Sequence, residues 1–199
     1  MKIKFYIIAI TAILVIGCED ILTEKPKGFV APDEFFNTNA EAEAAVNGVY
    51  DYMHESIIAD INRFRAGDIA SDVASGRVNP QRDGDLDNYE PLEEDWRSLY
   101  EAVGAANIVI SRIEISDNFS QDFQNRIVAE AKFLRAYFYL TLNLYWGNVP
   151  LWLDELDLDA VEYMPQSSSQ EVRSQIIKDL LFAKDYLPGT VSEKGRVTS

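Results

Sequence analysis

The 199-residue sequence has one cysteine, Cys18, and one histidine, His54. A lone cysteine excludes an intrachain disulfide, and the two residues together cannot build a Cys/His zinc site. Positive charge is scarce too: 18 Lys and Arg stand against 33 Asp and Glu, giving a net charge of −15. Nucleic-acid phosphates would be repelled, and so would anionic lipid surfaces. The charge suits a neutral ligand, a partner with a basic face, or plain solubility. Long apolar runs are missing apart from Phe5 to Ile16, which Thr11 interrupts and which is too short to span a bilayer comfortably. What the chain does have is material for a core. At 47% hydrophobic and 12% aromatic it does not read as disordered.

Residues 1–17 read as a leader. Lys2 and Lys4 form a positive start, and the apolar run follows it. Val15-Ile16-Gly17-Cys18 resembles a bacterial lipobox, in which the cysteine is acylated and becomes the first mature residue. Cleavage there would remove Lys2 and Lys4 and make the chain more acidic by two charges. Glu19-Asp20 resemble the surface-export signal of Bacteroidetes lipoproteins. Residues 18–38, broken by Pro26, Gly28 and Pro32, read as a tether that packs Leu22 and the Phe35-Phe36 pair onto the domain beginning at 39.

The domain is organised around Ile127 to Leu151. Apolar residues recur at helical steps along Ile127, Ala131, Leu134, Phe138, Leu142 and Tyr145, and again along Phe133, Tyr137, Leu140 and Leu144. Two such lines predict a helix enclosed on most sides, stopped by Gly147 and Pro150. An earlier helix opens at Thr38 with Glu41 as a capping box and carries Ala42, Val46, Val49, Tyr50, Met53, Ile57 and Ile61. Gly48 inside it suggests close helix packing, and His54 reads as a solvent-side or capping residue. Another helix starts near Glu93 with Trp96, Leu99, Tyr100, Val103, Ile110 and Ile113 on its apolar face. Asn107 lies on that line, so its amide should pin a neighbouring backbone. A last helix opens at the Ser168/Glu171 capping box, with Val172, Ile176, Leu180, Ala183 and Leu187 as its apolar line, and Pro188-Gly189 ends it. The expectation is all-α with antiparallel pairing and tetratricopeptide-like stacking, although no clean repeat period emerges. Residues 66–92 are rich in breakers and polar groups, as a functional or mobile loop would be. Asp83-x-Asp85-x-Asp87 with Glu94 mimics a calcium loop, but Asn88 replaces its glycine and Glu90 and Pro91 do not fit the pattern, so an acidic approach to a helix is the better reading.

These motifs converge on one resemblance. The chain resembles the SusD/RagB-like outer-membrane nutrient-binding lipoproteins through Cys18, Leu22, Pro26 and Phe35-Phe36. It continues through Trp96-x-x-Leu99-Tyr100, Ala106-Asn107, the block Ala129 to Tyr139, Leu144 to Leu151, and Gly195-Arg196. The resemblance implies the N-terminal part of a SusD-like helical fold, because family members look longer. The fourth helix should then expose an apolar face. It also implies a lipid-anchored protein on the extracellular side of the outer membrane. That protein would capture a glycan or other nutrient and deliver it to a TonB-dependent transporter of the SusC type.

For such a binding module, aromatic faces stack on sugar rings and planar polar groups meet hydroxyls. Asn79, Arg82, Asn88 and Tyr89 are the ligand-binding candidates, with Trp146 and Trp152 as alternatives that also suit core anchoring. A glycosidase would need two singled-out carboxylates. The seven acids between Asp83 and Asp95 lie in a run with no base and read as a solvated face. No catalytic residue, cofactor or metal is therefore expected. A purely structural adaptor on the barrel, with no ligand site in this portion, is the alternative.

Overall fold

The computed structural model describes residues 35–54, 90–155, 164–191 and 193–199. Their order is α1 (Asn39–Asp51), a 3-10 turn (Tyr52–His54), α2 (Glu90–Glu114), α3 (Gln121–Trp146) and α4 (Ser169–Tyr186). No strand forms among the described residues, only an isolated antiparallel bridge between Val149 and Ser167. None of the described helices is long and apolar enough to cross a membrane. The leader 1–17, Cys18, most of the tether, Ile57, Ile61 and the loop through Tyr89 lie outside the described residues.

α3 packs against all three other helices. Ser120 caps its start by accepting from the Phe123 N–H, and Gly147, at φ 73°, ends it in a conformation that a side chain resists. Its 26 residues span about 39 Å. α2 and α4 run antiparallel to α3 on either side. Lys132 and Trp146 of α3 meet Glu114 and Trp96 of α2. Ala129 lies beside Ala183 and Leu187, while Asn143 meets Ser169 and Arg173 of α4.

The first apolar line of α3 is buried from Ile127 to Leu142. The second is not: Leu140 is 49% exposed and Leu144 73%. Helix α3 is therefore enclosed on three sides, and the fourth side faces out. α4 also departs from its expected line by one residue. Val172, Ile176, Asp179 and Ala183 point inward, whereas Leu180 is exposed together with Ile177, Leu181 and Tyr186. Asp179 displaces the leucine because it has a buried partner, Arg135 (below), and an uncompensated inward charge would not persist. Gly48 is corrected as well. It is exposed, and a Cβ there would meet nothing within 4 Å. Other expectations hold. Both capping boxes form, Phe36 is buried, and exposed His54 places Nδ1 3.3 Å from the Asp51 carbonyl.

A buried carboxylate ties the ends of the described chain together. Glu130 of α3 accepts from Arg126, from the Tyr50 hydroxyl of α1 and from Arg196, at 3.0, 3.2 and 2.6 Å. Arg196 also donates to Asn47, and the Val197 N–H donates to the Tyr50 hydroxyl. The Gly195-Arg196 segment is thereby fixed on α1 and α3.

Candidate functional site

Beyond α3 the chain turns back alongside α2. The contacts advance in step along both segments: Tyr100 donates to the Pro150 carbonyl at 2.7 Å, and Asn107 to the carbonyls of Trp152 and Asp154 at 3.1 and 3.2 Å. Arg112 grips Glu155 with two N–H groups at 2.9 and 2.8 Å. α3 holds the same strap from the other side. The Tyr139 hydroxyl lies 2.6 Å from both the N–H and the carbonyl of Trp152, accepting from one and donating to the other. Arg135 donates to the Leu153 carbonyl at 3.2 Å.

These side chains form one relay. Asp179 of α4 receives two parallel bonds from Arg135, each 2.8 Å, and Arg135 donates onward to Asn107 Oδ1 at 2.8 Å. Asn107 in turn holds Trp152 and Asp154. All three side chains are buried. In a low-dielectric interior such bonds are strong, and each is expensive to leave unmade. Burial pushes the phenols of Tyr100 and Tyr139 above the usual tyrosine range, so both stay protonated donors.

The relay sets the position of Trp152, and Trp152 walls an open groove of about 730 Å³. α2 supplies Trp96, Tyr100, Gly104 and Ile108, one residue per turn, and Tyr52 also lines it. The Trp152 ring lies 3.4 Å from the point where a Cβ on Gly104 would stand. An alanine there would only touch the indole at ordinary van der Waals distance. Trp96 is set by its neighbours, with Tyr100 at 4.9 Å and Trp146 edge-on at 5.3 Å. Glu93, Arg97, Glu101 and Glu155 form the polar rim. Flat aromatic faces with polar groups at their margin can stack on sugar rings and hydrogen-bond their hydroxyls.

Asn79, Arg82, Asn88 and Tyr89 lie outside the described residues, as do Asp83, Asp85 and Asp87 of the calcium-like run. Of the two alternative tryptophans, Trp152 lines the groove and Trp146 supports Trp96 from behind. Asn107 pins backbone as its place on an apolar line required. Trp96 and Tyr100, expected on the apolar face, are half-buried and wall the groove, while Leu99, Val103, Ile110 and Ile113 fill the core. The groove residues missed were Tyr52, Gly104, Ile108 and the rim. The four-residue spacing of Trp96, Tyr100, Gly104 and Ile108 was the available signal. No group of three or more metal-ligating side chains occurs among the described residues.

Known proteins agree with this architecture. The model of a SusD-like family, described as "Starch-binding associating with outer membrane", matches residues 27–199. SusD-like protein P2 of Formosa agariphila is 34% identical over 95% of this chain and 38% of its own length. A SusD-like protein of Bacteroides ovatus is 32% identical over 100% of this chain and 37% of its own. Among solved structures, a SusD superfamily protein from Bacteroides vulgatus superposes with a TM-score of 0.72 at 21% identity, over 82% of this chain and 37% of that one. A laminarin-binding SusD-like protein gives 0.70 at 24%, over 82% and 38%. The chain thus spans well under half the length of these relatives. The family match over residues 27–199, on an all-α tetratricopeptide-like fold shared with solved members, means that the chain belongs to the SusD-like family.

Proposed function

We propose that this chain is the glycan-capturing part of a lipoprotein anchored in the outer membrane through Cys18 and facing outward. It passes a glycan or another nutrient to a SusC-like TonB-dependent transporter. The observation that carries the reading is the groove between Trp152 and the Trp96/Tyr100 stripe, held open by a buried relay in a member of a family described as starch-binding. The described residues on either side of 55–89 in the sequence, Tyr52 and Glu93, both line the groove. Asn79, Arg82, Asn88 and Tyr89 within that segment are the proposed additional contacts. The role is binding, not bond-making, and it needs no cofactor.

The deciding experiment is extraction from the native host with a C-terminal tag, followed by identification of what co-purifies, with glycan titration of the purified chain alongside. A large TonB-dependent barrel in the eluate and a glycan whose affinity falls on Trp152→Ala support the proposal. A soluble, unacylated chain that emerges alone overturns the anchor and the partner together. A second reading is favoured by the exposed Ile177, Leu180, Leu181 and Tyr186 of α4: a helical adaptor that only contacts other protein. Co-purification of the barrel with no glycan binding by these 199 residues would select it.

A further inference from the structure

We infer that the groove takes uncharged glycans and discriminates against those carrying carboxylates or sulfates. The inference rests on the capture reading above and adds the charge class of the ligand. An acidic sugar is recognised by a cation that can turn toward it, most often an arginine meeting two oxygens at once. The described rim has three carboxylates, Glu93, Glu101 and Glu155, and a single arginine, Arg97. Arg97 faces Glu93 at 3.3 Å, and Arg112, behind the rim, is committed to Glu155 by its two bonds. The Arg97–Glu93 pair is exposed and weak, so Arg97 can leave it at small cost. Leaving gains little for an anion, because Glu93 then stands bare one turn before Arg97 and Glu101 stands one turn after it. Like charges set against a ligand are how a site rejects a wrong partner.

The flanking sequence is net acidic even with Arg82 counted. Residues 55–89 carry seven acids and four arginines, and residues 156–163 carry three acids and no base. A cationic ligand is not favoured either. Arg112 holds Glu155 through two bonds and Arg97 stands beside Glu93, so a cation would gain less from these carboxylates than their number suggests. The remaining wall is Trp96, Tyr100, Ile108 and Trp152, which matches the apolar faces of neutral pyranose rings.

The test is calorimetric titration of the chain at low ionic strength, where charge effects are least screened. The probes are maltohexaose, laminarihexaose and mannohexaose, set against hexagalacturonate, a sulfated carrageenan hexaose and chitosan hexaose. At least one neutral probe should bind, with each anionic probe weaker by about tenfold or more. An anionic or chitosan probe that binds as tightly as the best neutral one overturns the charge inference and leaves capture standing. No binding by any probe fails the capture reading itself and this inference with it. Glu101→Lys reverses one rim charge at an exposed position and should strengthen hexagalacturonate binding by about tenfold. Unchanged hexagalacturonate affinity in that variant would show that glycans do not pass over this wall, and would overturn the inference by a second route.

Discussion

At the scale of single residues, the polar members of the Ala129–Tyr139 block specify the fold. Glu130 reaches α1 and the Arg196 segment, Arg135 reaches α2 and α4, and Tyr139 reaches the strap. Helical periodicity made the apolar lines legible but gave no warning that Glu130, Arg135 and Asp179 face inward. A charge among apolar residues reads as surface until its partner is known, and these partners stand 44 and 66 positions away. Asn107 was legible for the opposite reason, because an amide on an apolar line has to be satisfied by something. Removing one partner of a buried ion pair costs about 3–5 kcal/mol. Arg135→Leu should therefore lose that much by urea denaturation, and adding Asp179→Leu should recover part of it. A loss under about 1 kcal/mol would mean that water already reaches the pair. Gly48→Ala runs the other way. The site is helical, exposed and open, so the variant should gain about 1 kcal/mol in the same measurement.

At the scale of elements, the capping boxes at Thr38 and Ser168 were read directly from sequence, and the strap was not. Thr38, Ser120 and Ser168 each accept from a backbone N–H at a helix start, because short polar side chains there satisfy orphan donors. Ser168→Ala should cost about 1 kcal/mol, read as a lower denaturation midpoint. Its effect should include looser docking of α4 on α3, since neighbouring Ser169 bonds to Asn143 and Asn148. The strap 150–155 is held chiefly through its backbone carbonyls, which carry no sequence signature, so the groove it builds was out of reach. Tyr139→Phe removes the hydroxyl shared by the Trp152 N–H and carbonyl. It should shift Trp152 fluorescence and weaken glycan binding by about tenfold, a change larger than any fall in stability explains. Docking of the 193–199 segment on α1 has a pH limit. Burial first, and Glu130 with it, pushes the Tyr50 phenol from 10 up to about 12. A raised tyrosine pKa means that the folded state holds its proton more firmly. Its contribution is complete below pH 10 and is lost as the pH climbs toward 12. Stability should fall over that interval, and less steeply in Tyr50→Phe. Parallel curves for the two proteins would exclude Tyr50 as a source of the loss.

For the whole molecule the informative feature is the surface left apolar. α4 turns Ile177, Leu181 and Tyr186 outward at 56%, 55% and 46% exposure, and α3 turns out Leu140 and Leu144. The expectation of an apolar outer face on the fourth helix is met on α4, and it extends to the second line of α3. Stacked helical pairs behave in this way when each pair contributes one face inward and offers another. Exposed apolar residues contribute little to the stability of the chain that carries them, because burial is what makes them stabilising. Replacing Ile177 and Leu181 together by Glu should accordingly change the unfolding free energy by less than about 0.5 kcal/mol per site. The same variant should bind less of a hydrophobic dye and sediment as a lighter species wherever the unmodified chain self-associates. A loss of about 2 kcal/mol or more would place these side chains in a packed interface within the chain itself. Unchanged dye binding would move the adhesive surface to Leu140 and Leu144, where Leu144→Glu repeats the experiment on the neighbouring helix.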